Sequence, residues 1–455
     1  MKWALITHLN SEIRPLVHLA LPIVITQVGQ MMMGMVDIWM VSRLGTQSLA
    51  EVALGDTWAF GTLILVIGLI QGVDPLFTQA HGAQDSVSLG RTFQRGILLC
   101  ILLCPLLGIA WGYTADALRF LGQSEDLLSG ASSYVSAQVF SIPPLLGFFI
   151  LRQYLQCRGV LAPVVWTILI SNLFNVVFNE LFIFGGLGFP AMGIEGAARA
   201  TGASRIIMFL LLVAIVIYGK HMKNGWTPWT LRSFSPVAML RLIRYGLPVM
   251  IHFGVEVWTF QAATLMAGRL GSESLGAHIL VLKIISFTFM FPWGLSGAAT
   301  TRVGNLLGAG KIPAAINSAK MSLVLAFLTM LVMGILLKLF GAEVTRLFSK
   351  DTAVLALATG LLPIAAGFQV FDGIQAVSAG ILRGAGLTVP AALMSLIGFP
   401  MVTIPLAYYL AFEMEWGLKG IWWAFLIGLF VMATLLTLWV RFSARSWKPI
   451  ERQIG

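Results

Sequence analysis

The chain is built from one apolar stretch after another, each about twenty residues long, separated by short polar breaks. A helix needs about that many apolar residues to cross the ~30 Å hydrocarbon core of a bilayer. With that window the sequence holds about twelve candidate spans, near ~16–41, ~50–75, ~92–113, ~130–150, ~161–184, ~193–218, ~240–266, ~276–298, ~319–340, ~353–377, ~389–411 and ~418–441. Hydrophobic residues make up 58% of the 455 positions and charged residues only 11%, where a soluble domain has about 25% charged. A soluble fold of this length could not keep its exterior wet with so little charge. A cytosolic enzyme, a disordered regulator and a secreted disulfide scaffold are therefore excluded, and the fold class expected is an all-α polytopic membrane protein. The N-terminal sequence MKWALITHLNSEIRPLVHLALPIV lacks a short apolar core with a small-residue cleavage site, so no signal peptide is expected. Cys100, Cys104 and Cys157 have no metal-ligand spacing and read as small apolar residues.

Basic residues outnumber acidic ones, 29 to 19. In a membrane protein they collect in cytoplasmic loops. With both termini cytoplasmic, the inner ends of the spans carry about 19 Lys and Arg, among them Arg91, Arg95, Lys220, Lys223, Arg232, Arg241, Arg244, Lys311 and Arg445. The outer ends then carry about 6: Arg43, Arg119, Arg269, Arg346, Lys350 and Lys419. Topology accounts for the positive charge and leaves none calling for nucleic acid. An inner-membrane protein with cytoplasmic termini is expected.

The chain repeats itself. At an offset of 226 residues, Leu21-Pro22 meets Leu247-Pro248 and Arg43-Leu44-Gly45 meets Arg269-Leu270-Gly271. Gly82-Ala83 likewise meets Gly308-Ala309, and near the same offset Arg158-Gly159 answers Arg383-Gly384. Six spans per half bring both halves into the membrane in the same sense, a parallel repeat of the kind secondary transporters use around a midplane site. The longest connection, ~219–239, is polar and basic. The expected organisation is an N-terminal six-helix lobe at 1–222, a cytoplasmic linker at 223–239 and a C-terminal six-helix lobe at 240–455.

Three acids lie well inside spans: Asp37 in the first, Glu256 in the seventh and Asp372 in the tenth. A carboxylate at bilayer depth is costly unless it faces a wet cavity or a partner, so such residues mark proton or ion pathways. In the repeat, Asp37 aligns with Ala263 and Glu256 with Gln30. Packing symmetry therefore does not explain these acids. Asn175 and Asn179 are four apart on the fifth span and share a helix face; they can offer carbonyl oxygens to an ion or an acid, or join helices by hydrogen bonds. His252 lies one turn before Glu256 and can hydrogen-bond to it or relay its proton. Glu180 ranks second, and Asp56 and Asp74 read as caps or interface residues. Trp39, Trp258 and Phe289 are aromatic candidates for a cationic ligand through cation–π contact. Pro248, Pro363, Pro390 and Pro400 read as kinks. GAGK at 308–311 lacks the earlier Gly and the following Ser or Thr of a phosphate loop. No hydrolytic or acyl-transfer motif is present, so no enzyme is expected.

Several segments together resemble one family: LALPIVITQVGQMMMGMVDIWMVSRLG at 19–45, QAHGAQD at 79–85, NVVFNELFIFGGLG at 175–188, GLPVMIHFGVEVW at 246–258, RVGNLLGAG at 302–310 and GFQVFDGIQAVSAGILRGAG at 367–386. Over nearly its whole length the chain resembles the multidrug and toxic compound extrusion (MATE) family, in its NorM-like bacterial branch. The resemblance implies twelve helices in two lobes forming a V around a central cavity. It implies secondary active efflux of small lipophilic organic cations in exchange for Na+ or H+. By position, Asp37 looks like the first-lobe coupling acid with Asn175, Asn179 and Thr201 as companions, and Glu256 and Asp372 like the second-lobe acids. Asp37, Glu256 and Asp372 are thereby the Na+ candidates. Some members have an acid in place of Asn179. Some have Tyr in place of Phe368, which joins the aromatic candidates. No cofactor, nucleic acid or obligate protein partner is implied beyond the lipid bilayer, the substrate and the coupling ion. The alternative is a flippase for lipid-linked or polysaccharide precursors; its anionic cargo calls for basic residues inside spans, where Lys283 and Arg205 are the candidates.

Overall fold

Where no water reaches the backbone, every N–H and C=O must be satisfied within the segment, which leaves helices as the solution for single apolar stretches. The computed structural model, which describes residues 2–223, 225–348 and 351–450, follows that rule. Its helices are α1 (Lys2–Val41), α2 (Thr46–Gln71), α3 (Asp74–Gly82), α4 (Ser86–Gly112), α5 (Thr114–Phe120), α6 (Glu125–Ser136), α7 (Ile142–Cys157), α8 (Ala162–Phe184), α9 (Gly193–Tyr218), α10 (Pro236–Arg269), α11 (Ser272–Gly308), α12 (Ile312–Phe348), α13 (Thr352–Gly384), α14 (Thr388–Leu396), α15 (Ile404–Tyr408) and α16 (Gly417–Ser443). Among the described residues no strand forms beyond a single bridge between Gly186 and Phe189. Lys350 and Asn224 lie outside the described residues.

Eleven helical stretches among the described residues are long and apolar enough to cross a membrane. The seventh expected span is α10, whose 34 residues suffice for length. His252, Glu256 and Gln261 in its middle leave it less apolar than the others. The span expected near ~130–150 is broken: α6 stops at Ser136, and α7 restarts at Ile142 with Pro143 and Pro144 in its first turn. A missing N–H costs no hydrogen bond there. Pro390 also sits in a first turn, of α14, and so opens that helix instead of kinking it. Pro400 does perturb its helix, within the wider π-type winding of Ile397–Thr403. On α12, Val324, Phe327, Leu328, Leu331, Val332 and Ile335 form an exposed apolar stripe at helical spacing. A wet surface would not tolerate it; lipid does.

The described residues form two compact units: residues 2–24, 74–84, 247–348 and 351–450 in one, and 25–73, 85–223 and 225–246 in the other. The boundary falls beside Pro22 in α1 and beside Pro248 in α10. In the first unit α13 is central, packed by α3, α11, α12 and α16. Helix association in lipid relies on close approach and interhelical hydrogen bonds. Accordingly Ser296 and Thr300 of α11 donate to the carbonyls of Ala376 and Gly380 on α13, at 2.7 and 2.8 Å. In the second unit α8 and α9 form a hairpin, with α2 on α6 and α4 on α7. Trp111 donates to Thr62 at 3.0 Å and Trp58 to the Ala110 carbonyl at 3.1 Å. Cys100, Cys104 and Cys157 are free thiols.

Asp74, at the start of α3, is buried against Arg383 on α13, with 3.4 Å between Oδ2 and Nε. Arg383 also donates to Thr300 at 3.3 Å. This is the interface role expected of Asp74. Breaking a buried pair leaves a bare charge and costs about 3–5 kcal/mol, whereas removing both partners costs much less. Asp74→Asn and Arg383→Met should each lower the unfolding temperature in detergent by several degrees. The double variant should lie closer to wild type than the sum of the two; strict additivity would show that the pair is not coupled.

Candidate functional site

Five carboxylates are buried among the described residues: Glu12, Asp37, Asp74, Glu256 and Asp372. Glu12 is paired with Arg302, at 2.9 Å, and Asp74 with Arg383. Among the described residues no Lys or Arg comes within salt-bridge distance of the other three. These are the three acids that the spans alone singled out.

Asp37 belongs to the second unit. The α8–α9 turn runs through Gly185, Gly186 and Gly188, all at positive φ (83°, 140° and 91°), where side-chained residues are strained. That tight reversal sets α9 against α8 and brings Thr201 to the face carrying Asn175 and Asn179. Asn175 Nδ2 donates to Asp37 Oδ1 at 3.1 Å, and Asn179 Nδ2 donates to the same oxygen at 2.6 Å. Thr201 Oγ1 donates to Asp37 Oδ2 and lies 3.4 Å from Asn175 Nδ2. All four side chains are buried. The carboxylate is thus solvated by three protein donors.

The opposite ends of the two amides are unused: Asn175 Oδ1 and Asn179 Oδ1 have no hydrogen-bond partner. An amide presents a donor and an acceptor at nearly equal positions, and turning it over exchanges them. The cluster can therefore present either donors to a bare carboxylate or carbonyl oxygens beside it. With the Thr201 hydroxyl, the second arrangement is an all-oxygen set suited to a small hard cation. A proton on Asp37 would need only an acceptor. Glu180 is separate from this cluster, exposed and paired with Arg43 at 3.1 Å. Arg205 lies one turn beyond Thr201 and donates to Gln138 and Ser141, at 2.9 and 3.3 Å.

Glu256 and Asp372 belong to the first unit, on α10 and α13. His252, one turn before Glu256, approaches it to 3.8 Å. Gln375 sits beside Glu256, and Asp372 feels the charge of Glu256. Two buried carboxylates near one another favour a cation or a proton between them. His252 Nδ1, Asp372 Oδ1 and both side-chain polar atoms of Gln369 lack hydrogen-bond partners. Orphaned groups of this kind are rare in a settled core and fit a site that takes an ion or water. Gln369 and Gln375, three residues on either side of Asp372, were not foreseen; their spacing in GFQVFDGIQAV was the available signal. Among the described residues no three His, Cys, Asp or Glu gather as a metal cluster. Asp37 belongs to the second unit, and the other two candidates belong to the first.

The aromatic candidates divide. Trp39 and Trp258 are exposed, and Phe289 is half-buried with its ring 5.6 Å from that of Trp293. Phe368 is 1% exposed and packs on Phe260 and Trp422. It is core and presents no ring face to a ligand. Lys283 is exposed on α11.

The family model MatE matches the chain twice, at residues 22–181 and 248–409. The two matches start 226 residues apart, the offset of the internal repeat. The chain is 34% identical over 450 residues to a "Probable multidrug resistance protein NorM" of Mesorhizobium japonicum, covering 95% of this chain and 94% of that one. It is 29% identical over 433 residues to the "Multidrug resistance protein NorM" of Vibrio cholerae, covering 94% of each. The crystal structure of the eukaryotic MATE transporter AtDTX14 superposes with a TM-score of 0.89 at 24% identity, covering 97% of this chain and 99% of that one. The repeated match and the full-length likeness lead to one conclusion: the chain belongs to the MatE family of multi-pass membrane transporters, in its NorM-like branch.

Proposed function

We propose that this protein is a secondary active multidrug efflux antiporter, exporting small lipophilic organic cations in exchange for Na+ or H+ by alternating access. The proposed setting is the bacterial inner membrane with both termini cytoplasmic, and the moving parts are the two six-helix lobes. One observation carries the reading: three buried carboxylates without an arginine or lysine partner, each among groups able to accept an ion or a proton. The drug-resistance names of the NorM relatives support the substrate class.

In this scheme the inward ion and the outward organic cation compete for the same negative charge. Linkage then makes each weaken the other by the same factor. Asp37 with Asn175, Asn179 and Thr201 forms one coupling site, and Glu256 with Asp372 the other. Trp39, Trp258 and Phe289 are the aromatic surfaces proposed for the cargo.

The test is reconstitution in liposomes with a fluorescent lipophilic cation, under an imposed Na+ gradient and separately under a pH gradient. Uphill movement is expected under one of them, and that gradient names the ion. No movement under either, from protein shown to be folded, would overturn the antiport reading.

A further inference from the structure

The connection between α9 and α10 was expected to be a linker. Residues 218–246 carry Lys220, Lys223, Arg232, Arg241 and Arg244 and not one acid. The structure fastens this segment to its own unit. Gln94 of α4 donates to the Thr227 carbonyl at 2.6 Å and accepts from the Ser233 hydroxyl at 2.6 Å. Arg95 donates to the Arg232 carbonyl at 2.8 Å. Arg158, at the end of α7, donates to the carbonyls of His221 and Lys223, the latter at 2.9 Å. Gly90 makes room for the strap: a Cβ there would stand 2.6 Å from Thr227 Oγ1 and 2.9 Å from its backbone nitrogen. Thr230 and Ser233 form a reciprocal capping box at the start of the short turn Leu231–Phe234.

With the backbone held inward, the side chains point away. Trp226, Trp229, Leu231, Phe234, Val237 and Leu240 are exposed, Leu231 by 93% and Val237 by 79%. The rings of Trp229 and Phe234 lie 5.6 Å apart. Lys220, Lys223, Arg232 and Arg244 are exposed among them. Apolar side chains so exposed are a liability in water, and five cations without one acid repel each other. Both features are resolved at a membrane surface, where aromatic rings settle at headgroup level and cations meet phosphates.

We propose that the strap is a built binding surface for anionic phospholipids of the leaflet it faces. Lys220, Lys223 and Arg232 take the headgroup phosphates, while Trp226, Trp229 and Phe234 seat in the interface. Because the strap leads directly into α10, bound lipid would steady the entry to the helix that carries Glu256. The binding claim stands independently of antiport.

The test places the purified protein in nanodiscs made with brominated phosphatidylglycerol or brominated phosphatidylcholine. Subtracting a Trp226→Phe/Trp229→Phe variant isolates the strap signal from the other tryptophans. Several-fold stronger quenching by the anionic lipid is expected. Each basic residue near such a surface is worth about fivefold in affinity, so the Lys220→Gln/Lys223→Gln/Arg232→Gln variant should lose the preference. High salt should also weaken it. Gly90→Val keeps every charge but displaces the strap, and should lose the preference too. Equal quenching by both lipids in the wild type, or a preference kept by the charge variant, would overturn the proposal. So would a preference kept by Gly90→Val with the strap shown to be detached by proteolysis. Weak quenching by both lipids, with tight binding of a soluble acidic protein instead, would also overturn it. Transport need not work for any of these readouts.

Discussion

The Asp37→Asn protein is expected to fold and insert, yet to drive no organic cation uphill. The substitution keeps the shape of the side chain and removes its charge. It also replaces one oxygen with an N–H donor, facing three groups that already donate. That clash is avoidable, because Asn175 and Asn179 each hold an unused Oδ1 that can turn to accept. The fold therefore has a ready accommodation, and the unfolding temperature should stay within a few degrees of wild type. The ion has none. Removing one partner from a buried charge pair costs about 2–5 kcal/mol, which is at least about thirtyfold in affinity. Gradient-driven accumulation in liposomes should fall to the leak rate. Uphill export by this variant at near wild-type rate would refute a coupling role for Asp37.

Glu256→Gln and Asp372→Asn should each abolish coupling while making the protein harder to unfold. Both carboxylates are buried, and among the described residues neither has an arginine or lysine partner. Neutralising buried ionic groups is often stabilising by about 1–4 kcal/mol. A rise of several degrees in unfolding temperature is expected for either single variant. The double variant should gain little more, since the first substitution already removes the repulsion. Transport measured on the same samples should be lost in all three. A fall in stability with transport retained would make these acids structural.

The long apolar spans were legible because a bilayer leaves the chain so little choice, and the repeat was legible because residue pairs recur at one constant offset, at which the family model also matches twice. The breaks inside spans were less so. Nothing in hydropathy marks where α6 ends and α7 begins, or that Pro390 opens a helix while Pro400 disturbs one. The acids stood out by depth alone, and Asn175 with Asn179 by spacing. Thr201 came only through family resemblance, because a threonine in a spanning helix is ordinary and its partner lies 164 residues away. Gln369 and Gln375 escaped notice since glutamine carries no charge to draw attention. Phe368 shows the converse limit: an aromatic ring suits a cation site and a helix core equally, and here it is core. The fastening of the linker was not legible, because Gln94, Arg95 and Arg158, which hold it, lie far away in the sequence.

Of the five carboxylates buried among the described residues, two are paired with arginine and three are not. Under the antiport reading, that difference bounds the current the protein can carry. A cycle that loads all three with monovalent ions and returns one monovalent drug moves at most two net charges inward. A cycle that loads only one of the acids is electrically silent. Each net charge couples to the membrane voltage at about 2.3 kcal/mol per 100 mV. The number of acids left without an arginine therefore decides whether the voltage, as well as the ion gradient, can power export.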